Sequence, residues 1–377
     1  MRLLNPRTLS SGPESGLANQ VYALVGYALL AKTQELPLLL PAWATHDANG
    51  TALRFEALFD PSAMRDALAP HGVVALLLRD TPSNATFHRP HAMAGWEAFK
   101  AFSRERLRLG RLQHPLQRIE DAVYGGLHLS RALRQRVNAV QARLQLTGIS
   151  FGCLHARIEA DMQASWSVVH AGRPPSLDEY LRGMSAVPAL RSSDRIFIAV
   201  GLAITPEDSS RIDYERTSWG AVLRRSTDLS TGGHKAWHRG MRNASEPSYV
   251  AASAVDFELC RRATWFVGWC GSTFARLLAR RRAIDHGDGW YSACPEGVTY
   301  VAPDDEDARF RRWAMCRVQS PFVRTWAKRS DGTWSAGRQL VVKNCSFGMC
   351  DKTEYVTRRD AKRRAQWAAE QRPPARA

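Results

Sequence analysis

Apolar and polar positions along this 377-residue chain switch repeatedly between a helical and an extended period. From Gly16 to Trp43 a small-residue turn, GLANQ, opens onto the apolar-rich, helix-like run VYALVGYALLA, and the segment closes on the extended LPLLLP. Apolar runs at Leu3-Leu4, Leu36 to Leu40 and Val73 to Leu78 read as strands of the first half. A helix-rich stretch follows, with LSRALRQRVNAVQARLQL as its clearest amphipathic member. A second series begins at ISFGCLHARIEADM and continues with DRIFIAV. It ends with YVAASAVDFELCRRATWFVGWCGSTFARLLARRRA, which reads helix, strand, turn, helix. Alternation of this kind predicts an α/β chain built around mostly parallel sheet, with a boundary near residues 145 to 150. The polar, Gly/Ser/Thr-rich segment from Asp208 to Arg242 is expected to be mainly loop.

Charge narrows the choice of partner. A formal net charge of +16 points to nucleic acid, an acidic polymer or an anionic small molecule. Lys and Arg are scattered, and dense only in ARLLARRRA and in the tail TRRDAKRRAQWAAEQRPPARA. These are expected to be a solvated helix face and a basic, partly disordered tail. No aromatic-interleaved basic stripe of the RNA-binding kind is visible, so nucleic acid is not the expected partner.

Cysteine and asparagine usage bear on the compartment. The seven cysteines, Cys153, Cys260, Cys270, Cys294, Cys316, Cys345 and Cys350, form no CxxC pair and no zinc-spaced cluster. Of the seven asparagines, Asn49, Asn84, Asn243 and Asn344 each begin an Asn-X-Ser/Thr sequon. The lumen of the secretory pathway (ER or Golgi) is therefore the expected location, with the cytoplasm as the alternative. Some cysteines should be paired there, and the odd count leaves at least one unpaired. The start of the chain does not resemble a signal peptide, and the longest apolar run, Val21 to Ala31, falls short of the roughly 20 residues a membrane span needs. The lumenal reading thus expects an N-terminal membrane anchor that this sequence does not include.

Three places carry candidate chemistry. In CLHARIEADM, His155 and Arg157 lie two residues apart and leave the same face of a strand, with Asp161 just beyond its end. The carboxyl ends of parallel strands line a ligand crevice, where the planar fork of an arginine can grip a phosphate. In FVGWCGSTFARLL a buried strand runs through Gly271, Ser272 and Thr273 into a helix. That turn can offer hydroxyls and helix N–H groups to a diphosphate, or can simply cap the helix. The third place is Asp256, in the helix before that strand, whose carboxylate could accept two hydrogen bonds from a guanine edge. The GLANQ turn, between a short strand and a helix, is likewise a place where α/β proteins bind anions.

Taken together and in order, these segments resemble the motifs of the GDP-fucose protein O-fucosyltransferase family and its plant and algal relatives. GLANQ, a helix and LPLLLPAW are similar to the family's N-terminal Gly-rich turn, helix and proline-flanked strand. LHARIEADM looks like its His-Leu-Arg motif with a following Asp, and ATWFVGWCGSTFARLLARRR is similar to its phosphate- and base-binding turn. Asp256 lies 16 residues before Ser272, where the family keeps a guanine-reading Asp. FEALFD, Phe55 to Asp60, resembles a segment of the plant branch. Two positions depart from the pattern: Gly16 stands where the animal enzymes have Arg, and Glu159 adds an acid near the site.

The resemblance implies an α/β, GT-B-like fold of two Rossmann-like domains facing a central cleft. Residues 1–147 would form the acceptor-side domain, 148–330 the nucleotide-sugar domain, and 331–377 a C-terminal extension with the basic tail. It further implies that Gly16, Leu17, Ala18, Asn19, His155, Arg157, Asp161, Asp256, Ser272, Thr273 and Phe274 line the donor site. Arg157 would stabilise the leaving diphosphate, Glu14 would be a candidate base, and Asn19 would orient acceptor or sugar. The activity implied is metal-independent, inverting transfer of L-fucose from GDP-fucose to a hydroxyl of a protein or polysaccharide. No cofactor is expected, since no DxD-like cluster lies beside the donor motifs; PDDEDARF, which follows them, reads as a solvated acidic loop. Two other readings remain open: a rhamnosyltransferase-like enzyme that uses a UDP sugar, and a non-catalytic carbohydrate-binding homologue.

Overall fold

The computed structural model describes residues 1–6, 8–9, 16–44, 52–109, 116–156, 176–192, 195–199, 249–269, 271–294, 297–302, 322–328, 334–342 and 354–357. In chain order come β1 (Arg2–Leu4), β2 (Thr8–Leu9), α1 (Leu17–Gln34), β3 (Leu38–Leu39), β4 (Ala42–Ala44) and β5 (Ala52–Leu53). Next are α2 (Phe55–Leu58), α3 (Pro61–Leu68), β6 (Ala75–Leu76), β7 (Thr86–His88), α4 (Ala94–Leu109), α5 (Gln117–Gly125) and α6 (Arg131–Arg143). The second series is β8 (Phe151–His155), α7 (Leu177–Ser185), β9 (Arg195–Ala199), α8 (Tyr249–Arg262), β10 (Trp265–Trp269), α9 (Thr273–His286), β11 (Trp290–Cys294) and β12 (Gly297–Val301). Three further strands follow, β13 (Phe322–Lys328), β14 (Trp334–Val342) and β15 (Glu354–Thr357).

The chain is mixed α/β with two largely parallel sheets. One runs β6-β3-β1-β7, all parallel. The other runs β12-β11-β10-β8-β9, parallel except for the antiparallel β11–β12 edge. Both lie in a compact unit made of Met1–Ala160 and Pro174–Asp307, together with a small β2-β4-β5 sheet. A second unit, Asp161–Arg173 with Ala308–Ala377, contains the antiparallel β13-β14-β15 sheet. The strand readings at Leu3-Leu4, Leu36 to Leu40 and Val73 to Leu78 fall on β1, β3 and β6. Strand β7, Thr-Phe-His, was not legible because it is largely exposed and carries no apolar run.

Helix α1 is the centre of the first unit. Leu17, Ala18 and Gln20 through Leu29 are all buried, so the helix is covered on every side rather than on one face. It ends where Glu35 turns left-handed at φ 53°, its N–H reaching the carbonyls of Ala31 and Lys32. Against α4 it approaches so closely that a Cβ on Gly26 would lie 1.7 Å from the Gly95 carbonyl oxygen; only hydrogen fits there. Helix α6 starts on Ser130, whose hydroxyl accepts from Leu133 N–H, and buries Leu133, Val137 and Val140 at helical spacing.

The arginine run of α9 corrects the expectation of a solvated face. Arg281 and Arg282 are each only 2% exposed. Arg281 donates to the carbonyls of Tyr124 and Gly125 and to Asp285, while Arg282 donates to the carbonyls of Cys260, Arg261, Ala263 and Thr264 and to Asp288. Arg280 donates to Asp121 of α5 at 2.7 Å. These side chains cap the open carbonyls where α5 and α8 end, groups that must find donors once buried. Glu258, also buried, accepts from Arg261 and Arg262. Burial alone would raise its carboxyl, but the bonds and charges of those two guanidinium groups outweigh it and hold the group below the usual range.

Candidate functional site

Helix α1 meets the start of α9 in the first unit. Gly16 is the N-cap of α1 and supplies no side-chain cap, and no acidic residue stands in that helix's first turn. A Cβ on Gly16 would meet no described atom within 4 Å. Asn19 N–H donates to the Gly16 carbonyl at 3.1 Å, while the N–H groups of Leu17 and Ala18 have no capping side-chain oxygen among the described residues, a start disposed to an anion. Ser272 caps α9 by accepting from Ala275 N–H at 3.3 Å, and α9 too has no acid in its first turn. The Tyr22 hydroxyl donates to the Thr273 carbonyl at 3.1 Å, joining the second turn of α1 to the first residue of α9. Tyr22 is held in turn by its stack on Phe99, with ring centroids 4.6 Å apart.

Strand β8 delivers its last residue to the same place. His155 is 1% exposed and its ring stacks on Phe274 of α9, centroids 4.6 Å apart and 23° from parallel. Phe257 of α8 meets the edge of Phe274 at 5.8 Å. Its neighbour Asp256 is fully buried. A disulfide joins Cys153 of β8 to Cys260 of α8, with Cα atoms 5.1 Å apart, so some cysteines are indeed paired. Opposite His155 in the sheet is Gly268 of β10, where an added Cβ would lie 2.6 Å from Ala275 Cβ; this glycine lets α9 sit down on β10.

The α1 side is braced separately. The amide of Gln20 donates to Ala44 O at 2.9 Å and accepts from Ala44 N–H at 2.8 Å, serving β4 as a neighbouring strand would. Trp43, fully buried, packs its ring at 5.7 Å from Phe55 and 5.1 Å from Phe59, which joins the LPAW and FEALFD segments. Asn19 is half-buried, and its Oδ1 is enclosed without a hydrogen-bond partner among the described residues.

Of the residues named from sequence, Gly16, Leu17, Ala18 and Asn19 thus form the start of α1, and Ser272, Thr273 and Phe274 the start of α9. His155 lies at the end of β8 and Asp256 inside α8. Glu14, Arg157, Glu159 and Asp161 lie outside the described residues. Sequence reasoning missed Tyr22, Gln20 and Phe257. Tyr22 and Thr273 are 251 positions apart, and only the fold relates them. The hydroxyl of Ser272 serves as a cap whether or not an anion binds in front of it. Among the described residues no group of three or more His, Cys, Asp or Glu is placed to hold a metal ion, and no helix is long and apolar enough to cross a membrane.

No protein-family model matches the chain, and no curated protein matches it in sequence. Among solved structures, the chain is similar to POFUT1 in complex with GDP, at 13% identity over 76% of this chain and 96% of that one, with a TM-score of 0.44. It is similar also to the NodZ alpha-1,6-fucosyltransferase co-crystallised with GDP, at 14% identity over 80% of this chain and 98% of that one, TM-score 0.45. The fucosyltransferase NodZ from Bradyrhizobium aligns over the same shares at 14% identity, TM-score 0.43.

Proposed function

We propose that this chain is a glycosyltransferase that moves L-fucose from GDP-fucose to a hydroxyl of a protein or glycan acceptor. The observation that carries the reading is the meeting of α1 and the start of α9, neither helix with an acidic residue in its first turn, tied by the Tyr22–Thr273 bond, beside the His155–Phe274 stack and the helix that bears Asp256. That arrangement suits a nucleoside diphosphate. Helix-start N–H groups and hydroxyls take the phosphates, and a carboxylate in the adjoining helix takes the two N–H donors of a guanine edge. The motif order read from the sequence supports the same donor.

In this reading the chain adopts the GT-B arrangement, with 1–147 on the acceptor side, 148–330 on the donor side and 331–377 as an extension. Arg157 meets the charge that builds on the diphosphate as the glycosidic bond breaks, so it acts mainly in the transition state. The sugar passes through an oxocarbenium-like state to the acceptor oxygen with inversion, Asn19 orients the acceptor or the sugar, and Glu14 is the candidate base. Metal-independent transfer fits this assignment of roles to Arg157 and the helix starts. The secretory lumen fits the sequons and the Cys153–Cys260 pair, since disulfides persist in oxidising compartments.

Thermal unfolding with GDP, GDP-fucose, UDP and single-stranded RNA tests the reading. GDP and GDP-fucose are expected to raise the melting temperature, as any ligand does that binds only the folded state, and UDP and RNA to leave it unchanged. Equal shifts with GDP and UDP would remove the guanine assignment and favour a UDP-sugar enzyme. No shift with any nucleotide would remove the donor reading in favour of a carbohydrate-binding module.

A further inference from the structure

We propose that the Cys153–Cys260 disulfide is a positioning element of the nucleotide site, holding the Asp256 turn of α8 level with His155 so that the carboxylate meets the guanine base. The proposal rests on the nucleotide reading above. It begins from direction: Thr264, just past α8, donates its N–H to the Phe151 carbonyl at 2.8 Å, and the hydroxyls of Thr264 and Ser150 are 2.9 Å apart. The end of α8 therefore lies at the start of β8, and helix and strand run antiparallel. Cys153 and Cys260, both fully buried, tie them together at one level.

From that tie, Asp256 lies four residues back along α8, about 6 Å at the helical rise. His155 lies two residues on along β8, about 6.6 Å at the strand rise and on the same strand face as Cys153. Because the elements are antiparallel, both displacements point the same way and nearly match. The aromatic contacts agree with this register: Phe257, next to Asp256, meets Phe274, on which His155 stacks. Asp256 shares a helix face with Cys260, so a sulfur–sulfur bond one turn away fixes both the height and the rotation of its carboxylate. The cross-link spans 107 residues of sequence, and the base-reading residue and the phosphate-side residue hang from its two ends.

The test measures GDP and UDP dissociation constants by calorimetry for the full chain, with the disulfide verified by mass spectrometry. Three forms are compared: the oxidised chain, the Cys153→Ala/Cys260→Ala variant, and a volume-restoring Cys153→Ala/Cys260→Val variant. Loss of the cross-link is expected to weaken GDP binding about tenfold, with the GDP-to-UDP preference falling by the same factor. Asp256→Asn should cost markedly less affinity in the cross-link-free background than in the oxidised chain, the non-additivity of groups that act together. Treating the oxidised chain with dithiothreitol, which closes to its cyclic disulfide as it delivers two electrons and two protons to the cystine, should reproduce the variants' affinity and change nothing in the variants. A purely structural staple would lower the melting temperature yet leave the affinity and base preference of the folded fraction unchanged, which would overturn the proposal alone. So would a mass spectrum showing these two thiols free in chain prepared under oxidising conditions. Absence of GDP binding by the oxidised chain would overturn the nucleotide reading first, and this proposal with it.

Discussion

The His-Ala-Arg motif pairs two residues to which the proposed function gives different work. His155 is enclosed and stacked on Phe274, so its role in the proposed site is to place α9 and the donor. His155→Phe should keep the stack and most of the donor affinity, while His155→Ala should lose both. Arg157→Lys retains a positive charge without the planar fork, so GDP binding is expected to hold while turnover falls on the order of 100-fold, the scale of removing one preorganised donor. Wild-type turnover by Arg157→Lys would make the motif structural in this chain. Tyr22→Phe deletes one hydrogen bond, about 1 kcal/mol, and should appear as a lower melting temperature and weaker GDP binding together.

At the scale of elements, the start of α9 can be made to report which of its two roles matters. Ser272→Ala removes a cap and should cost about 1 kcal/mol of stability. Ser272→Asp restores the cap but sets a negative charge where a diphosphate would rest, so it should unfold like the wild type and bind GDP far more weakly. Undiminished GDP binding by Ser272→Asp would move the phosphates elsewhere. Gly26→Ala drives a methyl into the Gly95 carbonyl and should destabilise by about 3 kcal/mol, the upper end for overpacking, seen as a lower denaturation midpoint. What could be read in advance follows from these same elements. Helix α6 was legible because burial of one face imposes its period on the residues, whereas α1 and the α8-β10-α9 series were legible as long apolar-rich segments bounded by turn residues. The arginines of α9 were not, because charge in a sequence does not reveal that its partners are main-chain carbonyls up to 157 positions away. The Gly26–Gly95 contact was equally invisible, since a glycine in a helix shows only its cost until the neighbouring helix is known.

At the scale of the molecule, the net charge belongs mainly to one region. Residues 308–377 contain 17 Lys and Arg against 5 Asp and Glu, a balance of +12 out of +16. Bulk charge is therefore mainly a property of that region and is not evidence about the residues of the proposed donor site. Acid sensitivity has a more local origin. Glu258 ionises below the ordinary carboxylate range in the folded chain, so its pairing contributes in full above about pH 4.5 and is lost as the pH falls through the lower, folded value. Glu258→Gln should cost about 3 kcal/mol at pH 7, the scale of breaking a buried pair, and should flatten that acid limb of the melting curve. Asn84 is exposed in the turn before β7, so chain made in a eukaryotic secretory host is expected to lose mass on treatment with an N-glycosidase. An unchanged mass would count against the lumenal assignment.

The arginine side chains of α9 have one more consequence, for the way the first unit comes apart. They fasten carbonyls and a carboxylate from residues 121–125, in the first series of elements, and carbonyls at residues 260–264, in the second. A single helix thereby clasps both series, and neither can open without breaking its bonds. Amide protons of α5, α8 and α9 should accordingly exchange with solvent at one shared, slow rate set by global opening, and a protease should find no stage at which one series is cut while the other survives.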